Sequence, residues 1–137
     1  MNVVQPIRDR EKINEVKQVL LRGGMRNYLL FCIGINTGLR VSDILTLRVK
    51  DVRDQDFYTL NEQKTGKRKR INLHAVRQDI AAYTQGMAED AFLFASRTGD
   101  APITRIQAYR ILNDAAAVCG LDEIGTHTMR KTYVYHM

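Results

Sequence analysis

Apolar and polar residues alternate along this chain in two different periods, and the switch between them outlines the fold. From Arg10 to Leu21, Ile13, Val16 and Leu20 recur at helical spacing with charges between them, and Gly23-Gly24 closes that helix. Met25 to Asn36 is apolar on most sides, which predicts a central, buried second helix. Thr37-Gly38 breaks the run, because glycine takes the left-handed conformation that ends helices. Ser42 can then cap a short helix, with Asp43 in its first turn and Ile44, Leu45 and Leu47 packing it down. Phe57 to Leu60 has strand composition, Gln63 to Lys67 reads as a turn around Gly66, and Arg68 to Leu73 reads as the returning strand. Ile71 and Leu73 face one way on that strand.

Helical spacing resumes at His74 to Gln85 through Val76, Ile80 and Tyr83. Ala91 to Phe94 is a short apolar segment, and Arg97 to Pro102 a loop. Thr104 can cap a helix running to about Cys119, with Ala108, Ile111, Leu112, Ala115 and Cys119 on its apolar face and Gly120 as its stop. Thr126 or Thr128 could cap a last helix carrying Arg130, Thr132, Tyr133 and Tyr135. No stop signal follows it before Met137, so the sequence reads as cut short inside an element. The pattern describes a mainly helical α+β chain with one antiparallel hairpin, forming a single domain over 1–137 that is incomplete at its C-terminal end.

Bulk properties narrow the partner. A chain of 137 residues can bury a real core, and 45% hydrophobic with 26% charged residues is ordinary for a soluble globular protein. The net charge of +6 and pI of about 9.5 favour a polyanionic partner, most simply nucleic acid, although a merely basic solvated surface has the same charge. Cys32 and Cys119 are too far apart in sequence for a metal pattern or a disulfide framework, so a reducing cytoplasm is the simple expectation. Met1 to Pro6 lacks the apolar core of a signal peptide, and Tyr28 to Ile35 is too short to span a bilayer.

Three stretches could carry chemistry. Arg40 stands on a tight turn braced by hydrophobic neighbours, and a pre-aimed guanidinium suits phosphate oxygens. Lys64, Lys67, Arg68, Lys69 and Arg70 crowd the hairpin tip and could grip a phosphate backbone; lysines also guard exposed strand edges. His127 and Arg130, at i and i+3, share a face at a helix start, where one can handle a proton and the other a phosphate oxygen. Taken singly, a surface arginine, a solvated edge and a surface pair explain these stretches equally well or better.

Taken together and in order, they resemble the tyrosine recombinases of the phage-integrase family. Thr37 to Ile44 with Leu47 is similar to the family's first-arginine motif, Lys64-Thr65-Gly66-Lys67 with Arg70 to Leu73 to its β-hairpin, and Thr126 to Thr132 to its His-x-x-Arg box. Gly120-Leu121, Phe94 and Pro102-Ile103-Thr104 fit the run-up to that box, while Lys131 replaces a histidine often found after the second arginine. The resemblance covers the chain from about residue 10 to its end. It implies a catalytic domain of recombinase fold and strand exchange on double-stranded DNA without a metal or other cofactor.

In the implied reaction a tyrosine attacks the scissile phosphate, forming a 3′-phosphotyrosyl link and freeing a 5′-hydroxyl. Arg40 and Arg130 would neutralise the non-bridging oxygens, and Lys64 would protonate the leaving oxygen, with Lys67 a weaker candidate for that role. His127 would manage the nucleophile's proton, and Asp43 would support the Arg40 region. The family's nucleophile lies beyond the second arginine and is expected outside this chain. Tyr133 and Tyr135 are substitutes only in position, because aromatic residues at helical spacing usually pack a core. The resemblance further implies a homotetramer on DNA for a complete protein, a monomer for this chain, and DNA binding without cleavage. A non-enzymatic DNA-binding remnant of a recombinase is the competing reading, and an unrelated basic helical protein the third.

Overall fold

The computed structural model describes residues 6–61, 65–121, 124 and 128–136. Among the described residues, seven α-helices and one hairpin follow in chain order: α1 (Arg10–Arg22), α2 (Met25–Thr37), α3 (Val41–Leu45), α4 (Val49–Val52), β1 (Phe57–Asn61), β2 (Arg68–Asn72), a 3-10 turn (His74–Val76), α5 (Arg77–Thr84), α6 (Arg105–Val118) and α7 (Thr128–His136).

The most apolar helix is the central one. Leu29, Leu30, Phe31, Cys32, Ile33 and Gly34 of α2 are buried, and this helix packs on α1, α3, α5, α6 and α7. The other helices turn one stripe towards it: Ile13, Val16 and Leu20 from α1, and Ala108, Leu112, Ala115 and Ala116 from α6. Leu93 and Phe94, the core of the short apolar segment, are fully buried. Backbone bonds tie that segment to the chain on either side: Val49 donates to Ala91 at 2.9 Å, Leu93 to Leu47 at 2.9 Å and Ile103 to Phe94 at 2.9 Å. Thr104 caps α6 as expected, through a reciprocal pair with Gln107 at 3.1 and 2.8 Å.

Three local expectations need correction. Ser42 does not cap α3; it is an exposed residue inside the helix, whose N-cap is Arg40. The reason is tertiary: Leu39 and Val41 are both buried, which starts the helical turn two residues before Ser42. Thr128 likewise begins α7 rather than capping it, while Thr126 lies outside the described residues. The helix expected over His74 to Gln85 is a 3-10 turn followed by α5, because the Asn72 side chain takes the His74 amide at 2.8 Å and tightens the entry. Between α3 and the hairpin, a segment for which the sequence pattern predicts no element, residues 49–52 form a helical turn, with Asp51 accepting the Arg48 amide at 2.8 Å.

The N-terminal lead-in has a structural task that the sequence did not reveal. Ile7 is buried, and its amide donates to Thr132 Oγ1 at 2.9 Å, while Thr132 donates in turn to the Thr128 carbonyl at 2.7 Å. The Ile7 carbonyl meets His136 Nε2 at 2.8 Å. The middle of α7 and its C-terminal end are thereby pinned to the first described segment of the chain.

Candidate nucleic-acid interface

The first candidate cation sits on a locked turn. Gly38 ends α2 in the left-handed region (φ 70°), and its amide bonds the Gly34 carbonyl at 3.1 Å. Thr37, buried, donates to Ile33 at 2.6 Å and accepts the Leu39 amide at 3.3 Å. Arg40 follows in extended conformation, its carbonyl held by the amides of Asp43 and Ile44 at 3.0 Å. The backbone is fixed on both sides of an exposed guanidinium.

The second cation is delivered by α7, which lies unusually close to α2. A Cβ added to Gly34 would stand 2.3 Å from Met129 Sδ, and one added to Gly38 would stand 2.6 Å from Tyr133 Cδ2. Two glycines at i and i+4 therefore share one face of α2, and Met129 and Tyr133, also at i and i+4, fill it. Arg130, next to Met129, is brought alongside the Arg40 turn by this interlock.

Arg40 and Arg130 line one cleft of about 660 Å³, together with Lys69, Asp43 and Tyr58. Its third wall is the hairpin. Phe57 pairs with Asn72, Tyr58 with Ile71, Thr59 with Arg70, Leu60 with Lys69 and Asn61 with Arg68. Directly paired residues share a face of an antiparallel sheet. Tyr58, Leu60, Lys69 and Ile71 therefore form the core-facing side, and Arg68 and Arg70 the opposite, solvent side, where Arg70 stacks 3.7 Å over the Phe57 ring. The tip cluster read as one patch is thus divided. Lys67 is exposed beside the turn and, like Arg68 and Arg70, does not line the cleft.

The electrostatics of the cleft favour an anion. Among the described residues, three cationic side chains line it against the single carboxylate of Asp43. Among the described residues, Arg40, Lys69 and Arg130 make no side-chain hydrogen bond or ion pair. Asp43 is tied to Arg40 through its backbone amide rather than through its carboxylate. The Tyr58 hydroxyl is pushed above its ordinary value near 10, first by burial and then by the carboxylates of Asp51 and Asp43, so it stays protonated. Lys64 and His127 lie outside the described residues.

Tyr133 packs its ring on Gly38, and Tyr135 is exposed, edge-on to the His136 ring with Arg8 5.8 Å over its own ring. Neither lines the cleft, whereas Tyr58, which sequence reasoning passed over, does. β1 contributes Tyr58, Thr59, Leu60 and Asn61 to the lining, residues of both faces, so the strand's alternation alone does not single out Tyr58.

The model of the phage integrase family matches residues 9–137, nearly the entire chain. The chain belongs to the phage integrase family. It is 56% identical over 137 residues to the probable integrase/recombinase YoeC of Bacillus subtilis, covering 99% of this chain and 76% of that protein. It is 24% identical over 132 residues to the tyrosine recombinase XerA of Pyrococcus furiosus, covering 93% of this chain and 46% of that protein. Among solved structures, a XerA recombinase superposes with a TM-score of 0.75 at 16% identity, over 97% of this chain and 50% of that one. The lambda integrase (residues 75–356) bound to DNA superposes with a TM-score of 0.70 at 16% identity, over 97% and 51%. The fold is that of the tyrosine recombinases, and this chain spans about half the length of the archaeal recombinase and of both solved chains.

Among the described residues, no helix is long and apolar enough to cross a membrane.

Proposed function

We propose that this chain is the phosphate-gripping part of a site-specific DNA recombinase, which in its complete form cuts and rejoins strands through a 3′-phosphotyrosyl intermediate. The observation that carries this reading is the convergence of Arg40 and Arg130, from the turn after α2 and from α7, on one cleft with excess positive charge. Two guanidiniums there would neutralise the non-bridging oxygens of a phosphodiester, where charge must be stabilised during displacement at phosphorus. Their fixed charge does the work that metal ions do in many phosphoryl-transfer enzymes. Lys64 would protonate the leaving 5′-oxygen, with Lys67 as the weaker candidate. His127 would hydrogen-bond the phosphate and manage the nucleophile's proton. Asp43 supports the turn that holds Arg40.

The nucleophile of the complete protein is a tyrosine outside these residues. In support, Tyr133 is committed to packing on Gly38, and Tyr135 stands away from the cleft. The 137-residue chain then binds duplex DNA in a salt-dependent way and does not cut it. The same observation favours a second reading, a DNA-binding remnant of a recombinase that keeps the grip without catalysis. The two part on whether the natural protein carries a tyrosine segment that becomes covalently attached to DNA. The complete recombinase would assemble as a tetramer on its site in the cytoplasm, and this chain alone as a monomer; light scattering showing a stable tetramer of the chain would refute the latter.

The deciding experiment incubates the purified chain with nicked and intact duplexes. Retention of duplex that falls steeply with salt, with no covalent adduct, is the expected result. A covalent adduct, or binding that Arg40→Gln and Arg130→Gln leave unchanged, contradicts the proposal.

A further inference from the structure

The hairpin's charge is divided by register, and one of its lysines is placed differently from the rest. Along Arg68-Lys69-Arg70-Ile71-Asn72, inward positions alternate with outward ones, and the inward position next to buried Ile71 is Lys69. An inward position on a half-buried hairpin ordinarily takes an apolar residue, as Tyr58, Leu60 and Ile71 do on this face. Lys69 instead stands opposite Leu60 on the wall of the cleft that also holds Arg40 and Arg130, and it remains solvent-accessible because the cleft opens there. The carboxylate that shares the cleft, Asp43, forms no ion pair with it. Lys69 is thus an exposed cation on the cleft wall with no hydrogen bond or ion pair among the described residues, which leaves its charge available to a ligand.

We infer that Lys69 is a further phosphate contact of the Arg40–Arg130 cleft, engaging the DNA backbone at or beside the phosphate that the arginines hold, whereas Arg68 and Arg70 take no part in that grip. The inference rests on the reading of the cleft as a DNA site. A lysine suits this task as a mobile point charge, reaching from the hairpin wall towards a strand that the two planar forks orient. Arg70 is meanwhile occupied on the other side by the Phe57 ring.

The test measures duplex affinity and its salt dependence for the full 137-residue chain and for Lys69→Gln, Lys69→Arg, Arg68→Gln, Arg70→Gln, Arg40→Gln and Arg130→Gln. One lost phosphate contact reduces the slope of log K against log salt by about 0.9 and weakens binding roughly fivefold to tenfold near 0.1 M salt. Lys69→Gln is expected to show both changes with an unaltered unfolding midpoint, and Lys69→Arg to restore most of the slope. Arg68→Gln and Arg70→Gln are expected to leave the slope within half of one contact. If Arg40→Gln and Arg130→Gln lose a contact each while Lys69→Gln does not, the Lys69 assignment is wrong and the cleft stands. If Arg68→Gln or Arg70→Gln costs as much as Lys69→Gln, the division of the hairpin is wrong. If neither arginine substitution has an effect, the cleft reading fails and the Lys69 assignment fails with it.

Discussion

Replacing Gly34 with alanine tests the interlock that brings the two arginines together. Two opposing effects meet at this position. Alanine in a helix interior is favoured over glycine by about 0.5–1 kcal/mol, through backbone entropy alone. The new methyl, however, would stand 2.3 Å from Met129 Sδ, 2.9 Å from its Cε and 3.2 Å from its Cβ. The end of the methionine can swing, but its Cβ is fixed to α7, and Met129 is only 3% exposed, so the swing has to displace packed neighbours. Overpacking of this kind costs about 1–3 kcal/mol. The net expectation for Gly34→Ala is a loss of roughly 0.5–2 kcal/mol. Met129→Ala removes the obstacle at its own cost of about 2–5 kcal/mol for a buried methionine. In that background Gly34→Ala should become neutral or stabilising by up to about 1 kcal/mol. Urea unfolding of the four proteins, compared at equal m-value, measures the coupling, which should be about 1–3 kcal/mol. Duplex affinity should fall in Gly34→Ala as well, because Arg130 moves with its neighbour Met129. If Gly34→Ala stabilises the protein equally in both backgrounds, helix propensity alone governs the site and the interlock argument is wrong.

Other contacts make sharper single tests. Thr132→Val removes the acceptor of the buried Ile7 amide and should cost about 1–3 kcal/mol in chemical denaturation, with Thr132→Ser retaining most of the stability. Arg53→Ala should cost a similar amount, about 1.5–3 kcal/mol, because its guanidinium donates to Thr84 Oγ1 at 3.2 Å, to the Thr84 carbonyl and to the Met87 carbonyl at 2.6 Å at the end of α5. Lysine should not rescue it, since a point charge cannot reproduce the fork. Tyr28, Tyr58 and Tyr83 all hold their protons above the ordinary value near 10, chiefly through burial. The unfolded chain therefore ionises first. The stability these groups contribute is fully present below pH 10 and is lost as pH rises towards their folded values. Alkaline titration followed by tyrosinate absorbance should show the three ionising later than exposed tyrosines or only with unfolding; simple ionisation of all six together near pH 10 would refute it.

Long-period features of the fold were readable from the residues alone, and short-range geometry less so. The apolar breadth of Met25 to Asn36 identified the central helix, because only a helix covered on most sides has such a run. Thr104 and the glycine at position 38 marked a helix start and a helix end through purely local chemistry. Ser42 failed as a cap because burial of Leu39 and Val41 overrode a local preference worth about 1 kcal/mol. His74 to Gln85 looked like one helix because periodicity does not distinguish a 3-10 turn from the first turn of an α-helix. The basic run of the hairpin gave its charge but not its division between two faces, which depends on the pairing of Leu60 with Lys69. The pinning of α7 by Ile7 left no trace in any local pattern, since its partners lie at opposite ends of the chain.

The claim on which the account rests most heavily is that Arg40 and Arg130 hold the same phosphate. A double-mutant cycle on duplex affinity tests it, using Arg40→Gln, Arg130→Gln and the double variant at several salt concentrations. Groups that share one anion are coupled, so the double variant should lose at least about 0.5 kcal/mol less than the sum of the single losses. Strictly additive losses would place the two arginines on separate phosphates and contradict the account.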